Sequence, residues 1–254
     1  MQELMFFDAN AKIGHSISGP LPGARELLAE MDRNGVDFAL VQHNNLDTIG
    51  EVNANREIVE LMQEDSAQRL YGVWSILPEQ CHELPESGEF FAQMRQNRIK
   101  ALTLLPTAHR YIACRITVGK MLDEAAERKI PVLLYGVQGD WSAQWGALYN
   151  FMEIFPNLHC IINGGHKWGN DRYIRPLLEN YPNLRVEISG YWVPEGLRDL
   201  VELYGSERIL YGSGFPIYNH GNGMLQIKQS GLNMTDIANI AGLNLKKILE
   251  DAEI

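Results

Sequence analysis

Short apolar runs and helix-patterned segments alternate eight times along this chain, and that alternation constrains the fold more than any other feature. The runs cover 4–7, 38–41, 71–76, 100–105, 131–135, 159–162, 185–188 and 209–212. Between them lie segments with one apolar face each, over 24–34, 53–65, 90–97, 116–129, 143–155, 174–181 and 195–204, and 234–251 supplies the last helix. Strand–helix alternation predicts a parallel sheet with helices outside. Eight such units close an α/β barrel, the (β/α)8 TIM barrel. The length of 254 residues fits a fold that usually takes roughly 250. A doubly wound open sheet is the competing arrangement, but no Gly-x-Gly-x-x-Gly follows the first run. No linker, repeat or low-complexity stretch interrupts the pattern, so 1–254 is expected to form one domain.

Local chemistry marks several unit boundaries. Pro156-Asn157-Leu158 and Pro182-Asn183-Leu184 end helices and enter strands, because proline disfavours helix in the residue before it. Asn34-Gly35 and Tyr204-Gly205 read as glycine helix stops, and Thr235-Asp236 falls where a helix N-cap is expected.

Charge and cysteine usage narrow the partners. Lys plus Arg total 22 against 32 Asp plus Glu, and a net charge of −10 argues against general binding of nucleic acid or anionic membrane. Cys81, Cys114 and Cys160 are scattered without CxxC spacing, which fits a reducing compartment and no zinc ribbon. The first residues lack the basic and apolar regions of a signal peptide, and no run of about 18 apolar residues exists to span a membrane. The expectation is a cytoplasmic protein with a small-molecule substrate, and a homo-oligomer is left open. Trp141, Trp145 and Trp168 suit a pocket lid, a subunit contact or plain packing.

In a barrel, chemistry gathers at the carboxyl ends of the strands. The first run opens into Asp8, Asn10 and Lys12, and the second into the polar cluster Gln42-His43-Asn44-Asn45. Pro106 stops the fourth run, so His109 and Tyr111 fall on a loop over the mouth. His109 is a credible general acid or base, with helix capping as the alternative. The sixth run ends Asn163-Gly164-Gly165-His166, where the glycines let backbone approach a ligand closely. His166 is the best-placed histidine in the chain. The eighth run turns at Gly212-Ser213-Gly214 and leads past Pro216 to Asn219 and His220. Glu187 faces inward or outward according to a register that sequence does not fix.

Leu210-Tyr-Gly-Ser-Gly-Phe-Pro216 resembles the last barrel strand of the amidohydrolase superfamily. The similar branch is that of metal-dependent hydrolases and decarboxylases related to aminocarboxymuconate semialdehyde decarboxylase. Pro131-Val132 on the fifth strand and Pro156-Asn157-Leu158 before the sixth resemble the same pattern, as does the penultimate strand. The resemblance implies a catalytic metal, bound by an Asp-x-His-x-His first strand, a histidine on each of strands five and six, and the Asp of Gly-Ser-Asp-Phe-Pro. In this chain Asn10, Lys12, Tyr135, Gly164 and Gly214 stand at those places. An amide oxygen is a poor transition-metal ligand and an ammonium cannot be one. The implied zinc site is therefore expected to be absent, and no metal-ligating residue is assigned. Lys12 would occupy the cation's place and hold a substrate carboxylate or stabilise developing negative charge; a solvated loop lysine is the alternative.

Three functions compete on these residues. The first is a hydrolase or lyase, decarboxylase-like, acting on a small anionic molecule without metal or other cofactor. Its catalytic residues would be Lys12, His109 and His166, with Asp8, Asn10, His43, Tyr111, Tyr135, Ser213, Asn219 and His220 binding substrate. The second is a metal-dependent hydrolase, with zinc for example, using relocated ligands from Asp8, His43, His109, His166 and His220. No HxH or HExxH spacing supports it. The third is a barrel that binds a small molecule without catalysis.

Overall fold

Eight strands, all parallel, follow one another around the sheet in chain order, and they appear in a computed structural model that describes residues 4–14, 22–135, 145–163 and 170–254. They are β1 (Phe7–Ile13), β2 (Phe38–His43), β3 (Leu70–Ser75), β4 (Ile99–Thr103), β5 (Val132–Tyr135), β6 (Cys160–Asn163), β7 (Leu184–Glu187) and β8 (Ile209–Leu210). The chain around β8 returns to β1. Ala9 N–H donates to Tyr211 O, Gly214 N–H to Asn10 O and Lys12 N–H to Phe215 O, each at 2.9 Å. These bonds close the ring, so the expected (β/α)8 TIM barrel is the fold.

Helices cover the outside: α1 (Ala24–Asn34), α2 (Leu46–Ile49), α3 (Glu51–Met62), α4 (Ser87–Gln96), α5 (Arg115–Glu127), α6 (Trp145–Ile154), α7 (Asp171–Asn180), α8 (Gly196–Tyr204), α9 (His220–Lys228), α10 (Met234–Ala238) and α11 (Asn244–Asp251). The α1 segment buries Ala24, Leu27 and Met31 on one face and stops at Gly35, whose φ of 73° places its N–H on Met31 O. None of the described helices is long and apolar enough to cross a membrane.

Four elements differ from the sequence reading. The first strand starts at Phe7 rather than residue 4 and continues through Ile13, because Asp8 and Asn10 are buried on protein partners instead of opening a loop. A register shift between Asp8 and Ala11 lies inside it. The short α2 and the whole of α9 were not expected; α9 is started by Asn219, whose side-chain oxygen accepts from Asn222 N–H at 3.2 Å. The last helix reads 234–251 as expected, but a π-turn at Asn239–Leu243 separates α10 from α11.

The interior is layered. Phe7, Ala9, Leu40, Val73, Ala101, Leu133, Ile161 and Leu210 form an inner apolar cluster, closed at the strands' amino ends by Leu245, Ile248 and Leu249 of α11. Side chains alternate along a strand, so the residues two further on face the same interior. Those residues are Gln42, Ser75, Thr103, Tyr135 and Asn163, all buried. The barrel passes from an apolar lower layer to a polar upper one at its carboxyl end.

Candidate functional site at the carboxyl end of the barrel

Lys12 reaches across the polar layer. Its Nζ lies 4.4 Å from the centre of the Tyr135 ring, an arrangement in which a cation meets the negative face of the ring. Burial lowers the Lys12 pKa from the usual 10.5, and the field of Asp47 on α2 offsets this in part. Asp47 is the carboxylate whose field reaches Lys12, and no ion pair to Lys12 occurs among the described residues. Burial likewise pushes the Tyr135 hydroxyl far up, opposed by the Asn163 amide and reinforced by Glu187 and Asp8, so the phenol stays protonated.

Asn10 belongs to a second cluster at this mouth. Its Nδ2 donates to Glu187 Oε2 at 3.0 Å and to Ser189 Oγ at 3.1 Å. The Ser189 hydroxyl and backbone N–H both donate to Glu187. The register left open by sequence is thereby resolved: Glu187 is fully buried, and its carboxylate lies against the Gly212 backbone, where an added Cβ would stand 2.1 Å from Oε1.

Neighbouring positions carry two unsatisfied acceptors. Asn163 donates through Nδ2 to Ala9 O at 3.0 Å, while its Oδ1 is buried with no hydrogen-bond partner. Gln42 Oε1 is in the same condition. Lys12 pairs with Gln42 in the β1–β2 register and Tyr135 with Asn163 in the β5–β6 register, so the four side chains form one continuous patch.

Other expected site residues spend their polar atoms inside the protein. Asp8, fully buried, accepts from Asn10 N–H at 2.9 Å, Ser213 N–H at 2.8 Å and Ser213 Oγ at 2.5 Å. Its other neighbour is His220 Nδ1 at 3.5 Å, and the buried His220 ring is stacked on Phe215. Asp8 lies between the inward-facing Phe7 and Ala9, so it points to the opposite side, into the seam between the barrel and α9. Asn219 is the helix cap already described. His43 accepts from Asn45 N–H at 3.2 Å through Nδ1 and faces Glu57 at 3.2 Å through Nε2. His109 sits between the Glu51 carboxylate at Nδ1 and Leu46 O, 2.9 Å from Nε2, which ties the β4 loop to α2 and α3. The Tyr111 hydroxyl donates to Ile76 O at 3.1 Å. Gly164, His166, Trp141 and Trp168 lie outside the described residues.

Among the described residues, those at the family's ligand positions do not fit the metal that the resemblance implies. Asn10 turns its amide N–H groups to Glu187, and Lys12 places an ammonium across the mouth. Gly214 has a φ of +70°, and a Cβ there would stand 2.7 Å from the Tyr218 ring, so the aspartate of the family pattern has no room. Among the described residues no group of three or more His, Cys, Asp or Glu is placed to hold a metal ion.

Gln42, Asn163, Ser189 and Asp47 were assigned no role from sequence. The first two carried a usable signal, since each is the polar residue two places after an inward apolar one. Asp47 depended on an unexpected helix.

The fold is an eight-stranded α/β barrel with a polar layer at its carboxyl end. A family model described as amidohydrolase matches residues 23–232, and the chain belongs to that family. No curated protein matches it in sequence. Solved structures share the fold at low identity. A 5-carboxyvanillate decarboxylase from Sphingomonas paucimobilis has a TM-score of 0.72 at 13% identity, covering 98% of this chain and 99% of that one. A putative amidohydrolase from Staphylococcus aureus has 0.72 at 15%, covering 97% and 100%. A probable 2-pyrone-4,6-dicarboxylic acid hydrolase from Acinetobacter baumannii, with citric acid bound, has 0.67 at 14%, covering 96% and 99%.

Proposed function

We propose that this protein is a hydrolase or carbon–carbon lyase of the amidohydrolase family that acts on a small anionic molecule, with the Lys12 ammonium in the position of the family's divalent metal. One observation carries this reading. Lys12 projects across the barrel mouth onto the Tyr135 ring, with no carboxylate paired to it among the described residues. A charge held this way is costly unless a counter-ion arrives, and a substrate carboxylate supplies one. Two similar barrels, a carboxyvanillate decarboxylase and a probable pyrone dicarboxylic acid hydrolase, agree with an acidic substrate.

Each residue then has a role. Lys12 binds the anionic group and stabilises negative charge that develops on it. Tyr135, kept protonated by burial, presents a neutral hydroxyl and forms the floor of the site. Glu187, fixed by Asn10 and Ser189, holds β7 and β1 together. His109 fastens the loop over the mouth through Glu51 and Leu46. Proton transfer falls to His166, the remaining histidine of the reading above.

The test has two arms. Metal analysis of protein purified without added metal is expected to find less than about half an equivalent of transition metal per chain, since a catalytic site needs three closely held ligands. In a thermal-shift screen, acids should raise Tm more than neutral isosteres in wild type and not in Lys12→Met. Stoichiometric metal, or equal shifts in the two proteins, would defeat the reading.

A further inference from the structure

Every strand except β7 contributes to the inner apolar cluster at the amino end of the barrel. Arg185 stands in the place of β7: it pairs with the inward-facing Ile161 in the β6–β7 register, so a charge replaces an aliphatic side chain there. Its Nη1 donates to Asn183 O at 3.1 Å, which turns the guanidinium down toward the amino rim. His159 lies in that row, one step below the Cys160–Leu184 pair, and alternation from Ile161 turns it inward as well. Lys129, on the turn between α5 and β5, adds a third positive field. Burial, Arg185 and Lys129 hold the His159 pKa below its usual value, with Asp251 opposing them.

Burial lowers the Arg185 pKa too, against the fields of Glu207 and Asp251. Neither carboxylate forms an ion pair with Arg185 or His159 among the described residues. Arg208 adds positive charge nearby, but its donors go to Leu184 O, Leu178 O and Tyr181 O. The carbonyl end of α11 attracts cations, yet no hydrogen bond from Arg185 or His159 to it occurs among the described residues. A half-buried guanidinium with one of its five N–H groups engaged and no ion pair is costly. In a chain of net charge −10, three cations gathered without a contacting carboxylate call for an anion.

We propose that the amino end of the barrel is a second anion site, in which Arg185, His159 and Lys129 hold a phosphate group. A tetrahedral oxyanion offers acceptors in several directions, as donors from three separate elements require, and a guanidinium meets it with two parallel N–H groups. The site lies at the opposite rim from Lys12 and is independent of the function proposed above.

Thermal melts and calorimetry with inorganic phosphate test this, with chloride at equal ionic strength as the control. Wild type should gain about 2–4 °C in Tm over chloride at about 10 mM phosphate. Arg185→Met should lose that gain. Lys129→Met, at an exposed position clear of the core, should weaken phosphate binding about threefold or more, and it supplies the test if Arg185→Met unsettles the fold. In NMR titrations phosphate should raise the His159 pKa, a change that a histidine held only by packing would not show. Tighter binding of glycerol 3-phosphate than of the free ion would assign the site to a phosphate ester, and the reverse order to phosphate itself. Lys12→Met should respond to phosphate as wild type does. No gain over chloride in wild type, or a gain kept in full by both Arg185→Met and Lys129→Met, would overturn the site. A gain lost in Lys12→Met would place the ion at the mouth, overturning this inference and leaving the Lys12 reading standing.

Discussion

The lower and upper layers of the barrel interior are two residues apart on the same strands, yet they follow opposite rules. Leu40, Val73, Ala101, Leu133 and Ile161 pack as one apolar cluster under α11. Gln42, Ser75, Thr103, Tyr135 and Asn163 above them are equally buried but polar, and three of their oxygens, on Gln42, Ser75 and Asn163, have no partner. The lower layer maximises apolar contact; the upper one accepts the cost in stability of buried polar atoms without partners. If Lys12 acts as proposed, stability and function are separated along the barrel axis.

The largest expected effect lies in the lower layer. Leu133→Ala, at a site 1% exposed, should cost about 2–5 kcal/mol in chemical denaturation. Gln42→Met, one layer up, should change stability by less than about 1 kcal/mol, because an unpaired acceptor is lost along with its amide. A similar large loss from both substitutions would erase the distinction between the layers.

Next in size is Gly214→Ala. Its φ of +70° and the 2.7 Å approach to the Tyr218 ring should together cost about 1–3 kcal/mol, read as a lowered denaturant midpoint. Gly214→Asp should do no better and should not create metal binding. If either variant is as stable as wild type, the account of why the family carboxylate is missing fails.

The smallest effect is a pH dependence. Burial favours the neutral amine of Lys12 in the folded chain, so between the lowered pKa and 10.5 the unfolded chain holds more protons. Stability should therefore rise with pH across that window, and binding of acids should fall across it. Lys12→Met should be the more stable protein at neutral pH, with the difference shrinking as pH approaches 10.5. Melting curves at several pH values in a low-salt buffer would show parallel lines if Lys12 were simply solvated.

The architecture was legible because apolar periodicity reports directly on burial: all eight strands overlap the expected runs, and 24–34 matches α1 residue for residue. The site was less so. Lys12, Asn10 and Tyr135 were identified by their place in a family pattern and come together at the mouth. Asp8, Ser213 and His220 look the same in sequence, but a bulge in β1 and the unforeseen α9 turn them into a hydrogen-bonded seam. His109 is polar, near a strand end and engaged by Glu51, and no local pattern announces a partner 58 positions earlier. Which side of a wall a polar residue faces is set by register and by distant partners, neither of which a single stretch of sequence contains.

The proposed function turns on what occupies the space over Tyr135. A crystal structure of protein purified without added metal, then soaked with malate and collected above and below a transition-metal absorption edge, examines that point directly. The account predicts a carboxylate within hydrogen-bond reach of Lys12 Nζ and no anomalous peak at the mouth. A transition metal bound there, with Lys12 turned away from the Tyr135 ring, would contradict it.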